Sequence, residues 1–216
     1  MPDLLEDWAA TARGAGATAD DKAVEAAGEA LLARWREPHR HYHDCEHLVE
    51  VLTAVDALAE DGGDVDVPVV RLAAWFHDAV YEGRPGDDEE QSAQLAVEVL
   101  DGLGVPAERS GRVADLVRVT LHHDPPGGDA EAAVLCDADL AVLGADADRY
   151  GRYVRAVRAE YGHVPEAMFR SGRAMVLKAL AAMPRLYRTA AARQRWEDAA
   201  RANVTRELAD LAQLPG

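Results

Sequence analysis

Apolar residues recur along this chain at intervals of three and four, the spacing that lays them along one side of an α-helix. Residues 3–12 read as a short helix, followed by a loose "RGAGATADD". Asp20 or Asp21 suits the cap of a second helix, whose apolar positions include Val24, Leu31, Leu32 and Trp35. Pro38, in "REPHRHYHD", interrupts the pattern because proline has no N–H to give a helix interior. A third helix is expected from about 44 to 60, with Val51, Val55 and Leu58 on one stripe. "EDGGDVDVP" is a loop ending in Pro68, well placed as a first helical residue. "VVRLAAWFHDAVYE" is apolar on nearly every side, which predicts a central, buried helix over 69–82. Asp87 and Glu90 have the spacing of a capping box and open a helix that reaches about 101. Pro106 starts another, which "TLHHDPPGG" stops. "EAAVLCDADLAVLG" is a short apolar helix carrying two acids and ended by Gly144. The remainder, 147–214, is amphipathic helix with breaks near 162–165 and at Pro184. No segment alternates with period two for long, and no repeat or second core is visible. The pattern predicts an all-α chain with one domain over 1–216.

Composition agrees with helix: alanine is abundant, aromatics are scarce and 49% of the 216 residues are apolar, enough for a sizeable core. Charge narrows the partners. Lys and Arg number 23 against 39 Asp and Glu, a formal charge of −16. That disfavours a nucleic-acid polymer, which needs a basic face, but not a small phosphorylated ligand met by local charge or a metal. The two cysteines, Cys45 and Cys136, are isolated, with no CxxC and no disulfide framework. The N-terminal stretch is acidic and unlike a secretory signal, and no run has the length of a membrane span. A cytoplasmic setting without membrane attachment is expected.

Chemistry gathers in four places. His43 and His47 are four apart, so a helix would put them on one face, with His41 just before them. Imidazoles at that spacing suit transition metals, although a polar helix start facing water needs no metal to explain it. His77-Asp78 lies among apolar residues, where both must be paired or ligated; a plain His–Asp hydrogen bond is the metal-free alternative. Asp137 and Asp139 in "CDADLAVLG" again sit beside apolar neighbours, where a carboxylate also serves as a simple cap. His122, His123 and Asp124 stand at a helix end, where histidine is favoured by the dipole alone.

The ordered set His…His-Asp…Asp resembles the HD-domain superfamily of metal-dependent phosphohydrolases. The likeness covers most of the chain. "EPHRHYHDCEH", "AAWFHDAVYE", "GDDEEQSA", "LCDADLAVLGA", "YVRAVRAEYGHV" and "GRAMVL" are similar to a bacterial branch of predicted HD phosphohydrolases. The resemblance implies a helical bundle with a metal-binding core at about 38–145 and a C-terminal helical extension at about 146–216. It implies a divalent ion held by His47, His77, Asp78 and Asp139, with Asp137 as the alternative to Asp139. In the related YHxxxH form of cyclic-nucleotide phosphodiesterases the second histidine binds metal and the first stands near the leaving group, which puts His43 on the substrate side. Where the branch usually shows "DNE", this chain has Asp87-Asp88-Glu89.

The resemblance implies hydrolysis of a small phosphoester, a nucleotide among the candidates, by a metal-activated water. Asp78 would orient or deprotonate the water. Arg40 and His43 would neutralise phosphate or protonate the leaving oxygen, and His123 would face the same cavity. The nitrogen and oxygen donors suit Mn, Fe, Co, Ni, Zn or Mg alike. One rival is a di-iron oxygenase of the same fold, with His122 and His123 as added ligands. A metalloprotease would need Glu directly after the first histidine, where this chain has Asp44. A third rival is a metal-stabilised domain that binds a nucleotide without turning it over.

Overall fold

The computed structural model describes residues 3–60 and 65–213, so residues 61–64 of the expected 60–68 loop lie outside it. Among the described residues there are ten α-helices and one 3-10 turn: α1 Leu4–Gly14, α2 Asp21–Trp35, α3 Cys45–Ala59, α4 Val67–Phe76, α5 Asp87–Gly102, α6 Ala107–Val119, α7 Ala130–Asp139, the turn Leu140–Gly144, α8 Ala147–Glu160, α9 Glu166–Ala182 and α10 Ala190–Gln213. The protein is an all-α bundle.

The helix starts follow local chemistry. Asp3, Asp20, Asp44, Asp66, Asp129 and Asp146 each cap a helix by accepting a backbone N–H that the first turn leaves unpaired. The α5 cap differs from the expected Asp87–Glu90 box. Gly86 is the cap residue, and the Glu89 carboxylate reaches back to its N–H at 2.5 Å. Gly86 holds φ +90°, a conformation glycine adopts without strain, so the helix begins one residue earlier than side-chain spacing suggests.

α4 is the central element. Val69, Val70, Leu72, Ala73, Ala74, Trp75 and Phe76 are all buried. It packs against α3, α6 and α7, and α3 packs against α7 in turn. One hydrophobic cluster extends through these helices from Leu4 to Ala200. At the C-terminal end, α10 lies along the 3-10 turn, where Asn203 donates to the carbonyls of Leu143 and Ala145 at 2.9 Å. A Cβ at Gly144 would stand 2.4 Å from that of Trp196, so only glycine permits this approach. No helix among the described residues is long and apolar enough to cross a membrane.

Periodicity continues α4 through Glu82, yet the helix stops at Phe76 and His77 is its cap. Side chains take up backbone groups at and just beyond its end, where a helix otherwise leaves its carbonyls orphaned. The His77 Nδ1–H takes the Ala74 carbonyl at 2.8 Å, and the Trp35 Nε1–H takes that of Trp75 at 3.1 Å. Arg40 donates to the carbonyls of Asp78 at 2.7 Å and Ala79 at 3.3 Å. Ser92 Oγ accepts the Val80 N–H at 3.0 Å. His77 and Asp78 therefore stand at a helix end and not in its middle.

Candidate metal centre

Three chain segments deliver the site. α3 brings His47, buried one turn before Val51 on its core-facing stripe. The α4 exit brings His77 and Asp78, and the last residue of α7 is Asp139. Both imidazoles are only 1% exposed, so neither is a surface histidine with water for a partner. Their Nε2 atoms face each other at 3.2 Å. Asp139 Oδ1 lies 3.1 Å from His47 Nε2 and 3.5 Å from His77 Nε2. Asp78 Oδ2 lies 3.1 Å from His77 Nε2 and 3.8 Å from His47 Nε2.

This donor set fits a cation. Ligand atoms about 2.1 Å from a shared ion stand about 3.0 Å apart at octahedral angles and about 3.4 Å apart at tetrahedral ones. The distances of 3.1 and 3.2 Å fall in that range, and those of 3.5 and 3.8 Å lie just beyond it. The His77 tautomer is settled by its neighbour: a carbonyl only accepts, so Nδ1 carries the hydrogen toward Ala74 and the Nε2 lone pair points inward. Two imidazoles and a carboxylate, His47, His77 and Asp78, form a group compact enough to hold a metal ion. Electrostatics carry the same demand for positive charge. Burial works against a charged His77, but Asp78 and Asp139 outweigh it and hold its pKa well above the ordinary histidine range. Burial would lift the two carboxyls; His77 instead keeps both below the usual carboxylate range.

His123 meets the site through Asp139, its Nε2 lying 2.7 Å from Oδ2. The backbone pays with φ +48° at His123, an uncommon left-handed conformation for a residue with a side chain. His122, its neighbour, is exposed. Asp137 points elsewhere: its two oxygens accept the backbone N–H groups of Arg188 and Thr189, each at 2.7 Å, and so tie the entry of α10 to α7. Arg40 lies beneath the site. Its side chain is fully buried, with donors committed to Glu37 and to the carbonyls of His43, Asp78 and Ala79. It shapes the 40–43 turn and the α4 exit and has no fork facing a phosphate. Asp88, at the position of the "DNE" departure, accepts the N–H groups of Glu82 and Arg84 at 2.9 and 2.8 Å and holds the loop after His77-Asp78.

The residue that sequence reasoning missed is Glu160, the last of α8. One of its oxygens accepts the backbone N–H groups of His41, Tyr42 and His43 at 2.9, 2.8 and 2.9 Å. The other takes the His43 ring at Nδ1, 2.8 Å away. Tyr81 adds an O–H at 3.3 Å and stacks on the His43 ring with centroids 4.2 Å apart. Burial pushes the Glu160 pKa up, but His43 and the backbone donors bring it down to about 2. For His43, burial pulls the pKa down, and Asp78 and Glu160 more than restore it, leaving it raised. The signal for Glu160 was present: it lies inside "YVRAVRAEYGHV", but nothing local distinguishes it from other acids on an amphipathic helix. Comparisons with family models, with curated proteins and with solved structures find no match to this chain.

Proposed function

We propose that this chain is a metal-dependent phosphohydrolase of the HD type, acting on a small phosphoester. The observation that carries the reading is the compact buried group of His47, His77 and Asp78, whose two imidazole Nε2 atoms face each other at 3.2 Å, with an oxygen of Asp139 3.1 Å from His47 Nε2. A divalent ion held there, Mn, Fe, Co, Ni, Zn or Mg, supplies Lewis acidity and a readily deprotonated water.

The chain's own groups divide the rest of the work. Asp78 offers a partly exposed carboxylate that can accept the proton of an attacking water. His43 is held by Glu160 at Nδ1, so Nε2 is the nitrogen left to protonate the departing ester oxygen. The water oxygen bonds to phosphorus, the ester P–O bond breaks, and the leaving oxygen takes its proton from His43. His123 fixes the orientation of Asp139, and Arg40 fixes the α4 exit on which His77 and Asp78 are mounted. The exposed position of His122 argues against the di-iron alternative, which needs added histidine ligands at the site.

Purified protein depleted of metal, then supplied with each divalent ion in turn, should release inorganic phosphate or a phosphomonoester from a panel of phosphate mono- and diesters. The activity should vanish in Asp139→Ala and in His77→Ala. Metal binding without turnover of any panel member would favour a non-catalytic, ligand-holding domain, and would overturn the enzymatic reading.

A further inference from the structure

A cavity of about 510 Å³ opens beside His43, between α8 and α9. Its walls include Tyr42, Tyr153, Val157, Tyr161 and Phe169, with His43 at one end. Tyr42 stands between it and the metal centre, its ring 4.7 Å from that of His47 on one side and 4.7 Å from that of Tyr153 on the other, and His43 borders both. A cavity of this size takes an organic group of about drug-fragment dimensions.

Apart from His43 at one end, the cavity wall carries a single cation. Arg173 is the one guanidinium in the wall, and Glu207 takes it at both Nε and Nη2, at 2.7 and 3.0 Å. Its face lies over Tyr153, 5.0 Å from the ring centroid. A second phosphate or carboxylate would have to compete with Glu207 for that guanidinium. Outside, Met168, Met175 and Val176 line the mouth and are 67%, 67% and 53% exposed, an apolar rim around an aromatic hollow. Tyr42 and Tyr153 meet with centroids 4.7 Å apart and Tyr161 and Phe169 with centroids 6.1 Å apart, and aromatic walls of this kind favour a flat apolar ring as their guest.

Resting on the phosphohydrolase reading, we propose that this cavity holds the organic leaving group of the substrate and that this group is apolar and aromatic. His43 stands at the junction, with its ring between the metal ligands and the hollow. An ester with its phosphate on the ion and its ring in the cavity presents the bridging oxygen to His43.

Gly172 supplies the test. It lines the cavity from within α9, and a Cβ built on it meets nothing within 4 Å. Gly172→Phe therefore fills the hollow while improving helix propensity, so loss of folding is not the expected outcome. 1-Naphthyl phosphate and phenyl phosphate have leaving groups of similar acidity and differ by one ring. In the metal-loaded wild type, kcat/KM should favour the naphthyl ester about 10-fold or more, the factor that burying several apolar carbons contributes. In Gly172→Phe that ratio should collapse toward one, with metal content unchanged. Fluorescence titration with 1-naphthol, which needs no turnover, should show binding to wild type and at least about 10-fold weaker binding to Gly172→Phe.

If no ester is hydrolysed but naphthol binding follows this pattern, the enzymatic reading fails and the apolar site stands. If esters are hydrolysed with no naphthyl preference, or with a preference that survives Gly172→Phe, the cavity assignment is overturned. Faster turnover of adenosine monophosphate than of naphthyl phosphate would overturn the apolar character and favour a nucleotide. A wild-type dimer that Gly172→Phe dissociates would overturn it too, showing the rim to be an interface between two copies.

Discussion

Replacing Glu160 by glutamine separates the parts of the site with one change of charge. The amide oxygen can still accept the N–H groups of His41, Tyr42 and His43, but the NH2 cannot accept the His43 Nδ1–H. The Glu160 side chain is only 3% exposed, so solvent does little to screen the loss. Its carboxyl is lowered from 4.5 to about 2 in the folded protein. Each pKa unit corresponds to about 1.4 kcal/mol, so the ionised group contributes about 3 kcal/mol at neutral pH. Because the folded pKa is the lower one, that contribution is complete above the unfolded value of 4.5 and is lost as pH falls toward 2. By pH 3 it should have fallen to about half or less. Urea unfolding followed by circular dichroism should find Glu160→Gln less stable by about 1–3 kcal/mol at pH 7, because glutamine keeps part of the hydrogen bonding, and this gap should narrow at pH 3. Turnover should drop about 10²-fold, since an unheld His43 is a poorer acid, while metal content stays at the wild-type level. Equal stability at pH 7, or a gap that does not change with pH, would refute the reasoning.

The remaining expectations concern the division of labour among the histidines and acids. Elemental analysis should find metal in wild type and far less in Asp78→Ala or His47→Ala, whereas His43→Ala should keep its metal and lose turnover by about 10²–10⁴-fold. The opposite pattern for the two histidines would mean that the motif is set one turn out of place. Asp137→Ala should retain metal but lose about 1–3 kcal/mol of stability in thermal or urea unfolding, because it removes the acceptor of two partly buried N–H groups. A chelator should lower the melting temperature by roughly 5–10 °C relative to protein holding its ion at about 100 times Kd. An unchanged melting curve would mean that no ion joins α3, α4 and α7.

What the sequence alone determined is what short-range physics controls. The helices follow from apolar spacing of three and four, so the third could be started at about residue 44, and the cap of the second could be narrowed to Asp20 or Asp21, of which Asp20 is the one used. His47 could be put on the buried face of α3 because it lies one turn from Val51. His77 and Asp78 drew attention because polar groups among apolar neighbours need partners. Three features lay beyond reach because their causes are distant along the chain. α4 ends at Phe76 through Trp35 and Arg40, which arrive from the other side of α3, against a local pattern that continues to Glu82. Glu160 finds the His41–His43 backbone from 117 to 119 residues away, and its periodicity is that of any solvent-facing acid. Asp137 and Asp139 are the plainest case. Two residues apart on a helix they are about 200° apart around its axis, so sequence implies that one faces the site and the other does not. Which one does is a matter of how α7 is rotated against α3 and α4. The packing turns Asp139 toward the two imidazoles and leaves Asp137 to hold the start of α10.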